Sequence, residues 1–233
     1  MGKAKDILLK PIDNRSANDF IRRVHYSGKV VQNSQLHIGV FYEGNLEGAL
    51  QFGPSLDKRK MQGLVSDTGW NEFTELNRLA FTDALPRNSE SRAISIAIML
   101  LKKHAPQIKW VVSFADATQC GDGTIYRASG FVLTGIKENE NSAIDKTGKT
   151  HHKMSYESNP VSTGYAKVCG GANNWRKFVS YKEWEVLKGF QLRYMYFLDK
   201  SYRDRLTVPE LPFSEIERMG AGMYKGIRAG EAK

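Results

Sequence analysis

Cysteine is scarce in this 233-residue chain: Cys120 and Cys169 stand far apart and match no zinc or disulfide spacing. That excludes a disulfide-stapled secreted scaffold and points to a reducing compartment with both thiols free. Long apolar runs are also missing. The longest, Ala93 to Leu101, falls far short of the about 20 residues that a membrane-spanning helix needs. The segment Met1 to Asp6 has no signal-peptide core, and Asp6 breaks the myristoylation pattern, so a cytoplasmic protein is expected. The histidines show no His-x-x-x-His spacing, which gives no reason to expect a metal. No internal repeat and no linker separates independent folding units, and a 41% hydrophobic content suffices for one core. A single domain over 1–233 is expected.

What the chain has in excess is positive charge: 34 basic against 25 acidic side chains give a net charge of +9. Such a field attracts polyanions by counterion release, whatever their sequence. The placement of the charges narrows this. Lys58, Arg59 and Lys60 sit together in an expected loop, and Arg176 and Lys177 lie among Trp175, Tyr181 and Trp184. Cations interleaved with aromatics suit phosphate contact combined with base stacking, which makes these five residues candidate DNA contacts. A merely soluble basic protein shares the same composition.

Periodicity predicts a mixed α/β order. Ala17, Phe20, Ile21 and Val24 recur at helical spacing from about Ser16, with Gly28 as a C-cap. His37–Tyr42 and Leu46–Phe52 flank Glu43-Gly44-Asn45 as a hairpin, and a third strand follows at 75–81. Ser89 or Asn88 caps a helix from about Ser91 to His104. The polar stretch 137–160 is expected to be an insertion or loop, and 161–233 a C-terminal elaboration. Within the latter, Ser180 to Glu183 has the form of a capping box ahead of a short helix, and 189–198 that of an aromatic-rich strand.

The most informative stretch is Ile108 to Ala115, a buried strand, running through Asp116 and Gly121 to a tyrosine-bearing short helix at Ile125-Tyr126 and then Gly130-Phe131. That order resembles an N-acyltransferase. Together with Arg23 to Gly28, Phe52 to Ser55, Glu75 to Leu79, Asn88 to Arg92 and Phe114 to Asp116, it resembles the GCN5-related N-acetyltransferase fold over 25–131. The whole chain is similar to the Mom DNA-modification proteins of Mu-like phages. The resemblance implies a mixed sheet flanked by helices. It also implies attachment of a carbamoylmethyl group to the exocyclic amine of adenine, protecting phage DNA from host restriction in the host cytoplasm.

Site roles follow from that implied chemistry. Adenine's exocyclic amine is a poor nucleophile, so a base is needed, and His25 and Asp116 are the candidates. Tyr126 matches the position that protonates the leaving group, and Arg78 would polarise the acyl carbonyl or hold a phosphate. Arg87, Ser91 and Arg92, around a helix N-terminus, are candidate donor contacts. The acetyltransferase fold usually has glycines in its pyrophosphate loop, whereas Arg87 to Ala93 has none, which weakens the argument for acetyl coenzyme A. Acetylation also cannot form a carbamoylmethyl group, which is joined through its methylene and carries an extra nitrogen. A glycyl ester such as glycyl-tRNA holds the required atoms, so both donors stay open. A duplex adenine must be extruded or taken from a single strand, and Phe52 to Ser55 with Lys58 to Lys60 would line that pocket. The competing expectations are an N-acetyltransferase acting on a protein or small amine, and an inactive DNA-binding protein. Each candidate residue also has an ordinary structural role open to it: a cap for His25 or Asp116, core packing for Tyr126.

Overall fold

A computed structural model describes residues 3–170, 174–224 and 227–228. Its elements, in chain order, are β1 (Leu8–Pro11), α1 (Asn14–Val24), β2 (Leu36–Tyr42), β3 (Asn45–Gly53), α2 (Lys58–Gln62), β4 (Phe73–Phe81), α3 (Ser89–His104) and β5 (Trp110–Asp116). There follow α4 (Ala117–Cys120), α5 (Thr124–Ala128), β6 (Val132–Ile144), β7 (Thr150–His152), α6 (Lys153–Glu157), α7 (Tyr165–Cys169), α8 (Trp175–Tyr181), β8 (Glu185–Phe197) and α9 (Ser214–Arg218). This is the expected mixed α/β architecture. Where one domain was expected, the chain divides into two compact units: residues 1–114, 123–135 and 193–212, and residues 115–122, 136–192 and 213–233.

In the first unit the strand order is β1-β2-β3-β4-β5-β8-β6, the last two strands contributing the parts that belong to this unit. β1 to β4 pair antiparallel, and β4 pairs parallel with β5. Helix α1 starts where Asp13 accepts from the Ser16 amide at 2.9 Å, and Phe20 and Ile21 of its apolar stripe pack with Ala49 and Ala80. A second apolar cluster joins Met61, Val65, Phe73, Trp110, Val112, Met195 and Tyr202. Two details of the sheet prepare a site. Between β3 and β4 the register jumps from Gln51↔Arg78 to Phe52↔Leu76, so Asn77 is the extra residue of a bulge, a device that re-aims neighbouring side chains. The ladder between β4 and β5 runs from Phe73↔Trp110 to Leu76↔Ser113, and β4 continues beyond it to Phe81.

The second unit corrects two expectations. The polar stretch 137–160, expected to be an insertion or loop, has regular structure in place of a loop: β6 continues to Ile144 and returns as β7 with Ser142↔His152 and Ile144↔Thr150 in register, followed by α6. Asp145 forms the turn, its Oδ1 accepting from the Thr147 and Lys149 amides at 2.8 and 3.0 Å. Ser180 does not open a helix. It lies in the last turn of α8, which begins at Trp175 behind an Asn174 cap, and β8 follows from Glu185. The unit's core is aromatic: Tyr165, Trp175 and Phe178 are buried, with Tyr156 and Trp184 packed against them. Cys169 is a free, buried thiol 3.3 Å from the Asn174 carbonyl oxygen. Among the described residues no helix is long and apolar enough to cross a membrane.

Candidate active site

The bulge on β4 gathers polar groups that a sheet interior would normally exclude. Arg78 donates from Nε to the Lys29 carbonyl at 2.9 Å and from Nη1 to the Asn77 carbonyl at 2.8 Å, which fixes its guanidinium under the segment that follows α1. Burial weakens its hold on its proton, while Tyr26, Glu75 and Tyr126 act in the opposite direction.

Glu75 is the member of this group that sequence reasoning passed over. Its carboxyl is pushed up from the usual carboxylate range by burial, against the opposing influence of the nearby Ser55 hydroxyl, the Asn77 amide and the charge of Arg78. Asn77 Oδ1 in turn accepts from Ser34 Oγ at 3.1 Å. The sequence signal was available: an acidic residue three positions before an arginine in a strand whose other side chains are apolar or neutral.

His25 ends α1, and its Nδ1 accepts from the Ser27 amide at 3.2 Å, with Ser27 Oγ at 2.8 Å. Burial, reinforced by Arg78, pulls its pKa down to about 3. The ring is therefore neutral at pH 7, and with Nδ1 occupied as an acceptor its proton sits on Nε2. It presents a donor, not a base.

Tyr126 is buried on α5 and stacks on Tyr194 at 5.1 Å. Gly123, which starts that helix at φ 72°, has no room for a side chain because a Cβ would meet Tyr194 Cε2 at 2.6 Å. Ser113 Oγ lies 2.9 Å from the Tyr126 hydroxyl and 3.1 Å from the Leu76 carbonyl oxygen, so the single Ser113 proton serves one of these two oxygens and the phenol sits in a hydrogen-bonded chain from β4 through β5. His25, Arg78 and Tyr126 thus stand together in the first unit, with Glu75 added.

The remaining candidates are distributed differently. Asp116 belongs to the second unit, where it caps α4 by accepting from the Thr118 amide at 3.1 Å. Arg87 and Arg92 are exposed at the start of α3, and Ser91 Oγ lies 3.3 Å from the Asn88 carbonyl oxygen. Asn88 precedes that helix with φ 70°, adopting the left-handed conformation that a glycine would otherwise supply, and makes no side-chain cap. Ser89 is fully buried, its Oγ without a hydrogen-bond partner. Lys58, Arg59 and Lys60 form α2, not a loop, because Asp57 caps them through the Lys60 amide at 3.2 Å. Arg176 and Lys177 lie on α8 in the second unit, where Arg176 is paired with Glu140. A depression of about 500 Å³ at the end of α3, lined by Lys102, Lys109, Tyr196 and Lys200, contains none of the candidate residues. Among the described residues no group of three or more histidine, cysteine or acidic side chains is arranged to hold a metal.

The arrangement defines a mixed α/β protein with a carboxyl, a guanidinium, a neutral imidazole and a phenol clustered at a sheet bulge. The chain belongs to the Mom protein family, which matches residues 6–215. It is 36% identical over 206 residues to the methylcarbamoylase Mom of Escherichia phage Mu, covering 88% of this chain and 80% of that protein. Among solved structures it is similar to a GNAT family acetyltransferase from Elizabethkingia anophelis with acetyl-CoA bound, at 12% identity and a TM-score of 0.47, covering 82% of this chain and 98% of that one. An IAA acetyltransferase from Bacillus cereus gives 9% identity and a TM-score of 0.47 over 82% of this chain and 99% of that one.

Proposed function

We propose that this protein is a phage DNA-modifying transferase that converts adenine in DNA to its N6-carbamoylmethyl form and so shields the DNA from host restriction. Family membership and the methylcarbamoylase of phage Mu support the class of reaction. The observation that carries the mechanism is Arg78 flanked by a carboxyl whose pKa burial raises, Glu75, and by the phenol of Tyr126.

We assign the base to Glu75, in place of His25 and Asp116. A carboxylate moved toward neutrality is a stronger base than an ordinary one, whereas His25 presents an N–H and Asp116 is engaged in a cap. Glu75 takes a proton from the adenine amine as that nitrogen attacks the acyl carbonyl. Arg78 and the His25 Nε2–H stabilise the oxyanion that forms, and Tyr126 returns a proton to the departing oxygen or sulfur. Arg87, Ser91 and Arg92 hold the donor's phosphates.

Of the two donors, acetyl-CoA and glycyl-tRNA, the glycyl ester balances the product. Attack by the amine gives a glycyl amide and frees the tRNA hydroxyl. The glycine amine then adds to ring carbon six through a five-membered ring, and the bond from carbon six to the original nitrogen breaks. The product carries the glycine nitrogen on the ring and the original nitrogen as the terminal amide, with no oxidant or further reactant.

Expression in a bacterium fed ¹⁵N-glycine, followed by mass spectrometry of digested nucleosides, tests this. Deoxyadenosine should gain the mass of one labelled glycine residue. A gain of one acetyl group would establish acetyl-CoA as donor with simple acylation, and unmodified bases alongside soluble protein would overturn the DNA reading.

A further inference from the structure

Leu56 is the most exposed large apolar side chain near the candidate site, 87% accessible, and the chain does not leave it on a slack loop. The residues before it are fixed on both sides: Thr74 Oγ1 donates to the Gly53 carbonyl at 3.1 Å and Asn33 Nδ2 to the Pro54 carbonyl at 3.1 Å. Gly53 itself is packed so closely that a Cβ there would meet the Asn33 carbonyl oxygen at 2.7 Å and Asn77 Oδ1 at 2.8 Å. The residue after Leu56, Asp57, caps α2. A leucine held stiffly in water gains nothing from burial, and a single exposed apolar residue is common on any surface. Here its surroundings set it apart.

Ser55, its chain neighbour, is buried with its hydroxyl close enough to act on the Glu75 carboxyl, and Gly53 packs on Asn77 of the bulge, so Leu56 stands at the rim of the candidate active site, one Cα step of about 3.8 Å from Ser55. On its other side come Lys58, Arg59 and Lys60. Lys58 Nζ lies 4.5 Å from the ring centroid of Trp70, which is itself 51% exposed. An apolar tip, three cations and a half-exposed indole carrying an ammonium form a surface for a polyanion with stacked bases.

We propose that Leu56 is a wedge. It enters the base stack of duplex DNA and fills the space left by the extruded adenine, while Lys58, Arg59 and Lys60 hold the flanking phosphates and Trp70 stacks on a neighbouring base. Apolar side chains inserted between base steps are a general means of offsetting the cost of unstacking. This inference rests on the DNA-adenine reading above, and it specifies that the substrate is a duplex opened by this protein and not a strand already single.

The test compares wild type with Leu56→Ala on one adenine that the wild type modifies, presented opposite thymine, opposite an abasic site, and in a single strand. Because Leu56 is in solvent, folding is not at risk, and Leu56→Met provides a conservative rescue. The expected result is a loss of about tenfold or more on the paired duplex, with rates within about twofold of wild type where no partner base must be displaced. With 2-aminopurine at the target position, wild type should raise its fluorescence on binding and Leu56→Ala should not. Equal losses on all three DNAs, or an unchanged rate on the paired duplex, would overturn the wedge while leaving the DNA reading intact. If wild type modifies no adenine in any DNA, so that no such substrate can be chosen, the DNA reading itself fails and the wedge falls with it.

Discussion

Two polar clusters, one in each unit, treat their charged groups in opposite ways. In the first, Glu75 is raised by burial while Arg78 and His25 are lowered by it, so each is moved toward its neutral form. In the second, Asp145 is lowered, first by His151 and then by Thr147 and backbone amides. His151 lies 2.7 Å from Asp145 Oδ2 through Nε2 and 2.6 Å from the Tyr156 hydroxyl through Nδ1, and its ring stacks on Trp184 at 4.0 Å. That set is paired, aromatic-packed and tied to a β-turn. A group whose charge is stabilised by its partners holds a structure together, whereas one whose charge is destabilised by burial is poised to react. Charge follows the same division: the first unit carries 21 of the 34 basic side chains but only 14 of the 25 acidic ones.

The sharpest way to break this contrast is Glu75→Gln. Activity should fall by about 10²- to 10⁴-fold, as loss of a general base does. In wild type the rate should fall on the acid side as Glu75 protonates, at a pH above the ordinary glutamate range, and that limb should vanish in the variant. Stability should move the other way. A carboxyl with a raised folded pKa costs stability as pH rises past its unfolded value, so Glu75→Gln should melt no lower than wild type at pH 8. An equal loss of activity and melting temperature would assign Glu75 to the scaffold.

Phe178→Ala in the second unit should behave in the converse manner. Phe178 is fully buried against Tyr156, Tyr165 and Trp184, and its removal should destabilise by about 3–5 kcal/mol in denaturant unfolding. Asp145→Asn should lower the melting temperature at pH 7, and the difference from wild type should shrink in acid, because a depressed carboxylate stabilises above its unfolded pKa and loses that contribution as pH falls. A gain in stability from Asp145→Asn would remove the distinction between the units.

The smallest expected effect concerns the surface. Reversing Lys58, Arg59 and Lys60 to glutamate should weaken binding to all DNA sequences alike and reduce the slope of log affinity against log salt by about three. Binding that is unchanged at low and high salt would take α2 out of the interface.

Much of the first unit was legible in the order of residues, because its elements have strong local signals. Helix α1 shows a clean 3.6-residue stripe, the β2–β3 hairpin is marked by Glu43-Gly44-Asn45, and β4, α3 and β5 differ from expectation by a few terminal residues. The β6–β7 hairpin was hidden, since its alternation carries Asn, Glu and Ser on a strand face and looks like loop composition. The Ser180–Glu183 pattern misled because a four-residue signature does not say on which side of it the helix lies. His25, Arg78 and Tyr126 were singled out through resemblance, and their proximity came from topology.

The sequence alone determined the positive charge, the mixed α/β order and membership in a family, each written in residue types and local periodicity. The tertiary structure decided which polar groups share one buried environment. Only the register jump at Asn77 and the packing around it bring Glu75, Ser55, Arg78 and Tyr126 together out of water, and desolvation, which raises one pKa and lowers others, acts on groups the chain order keeps apart.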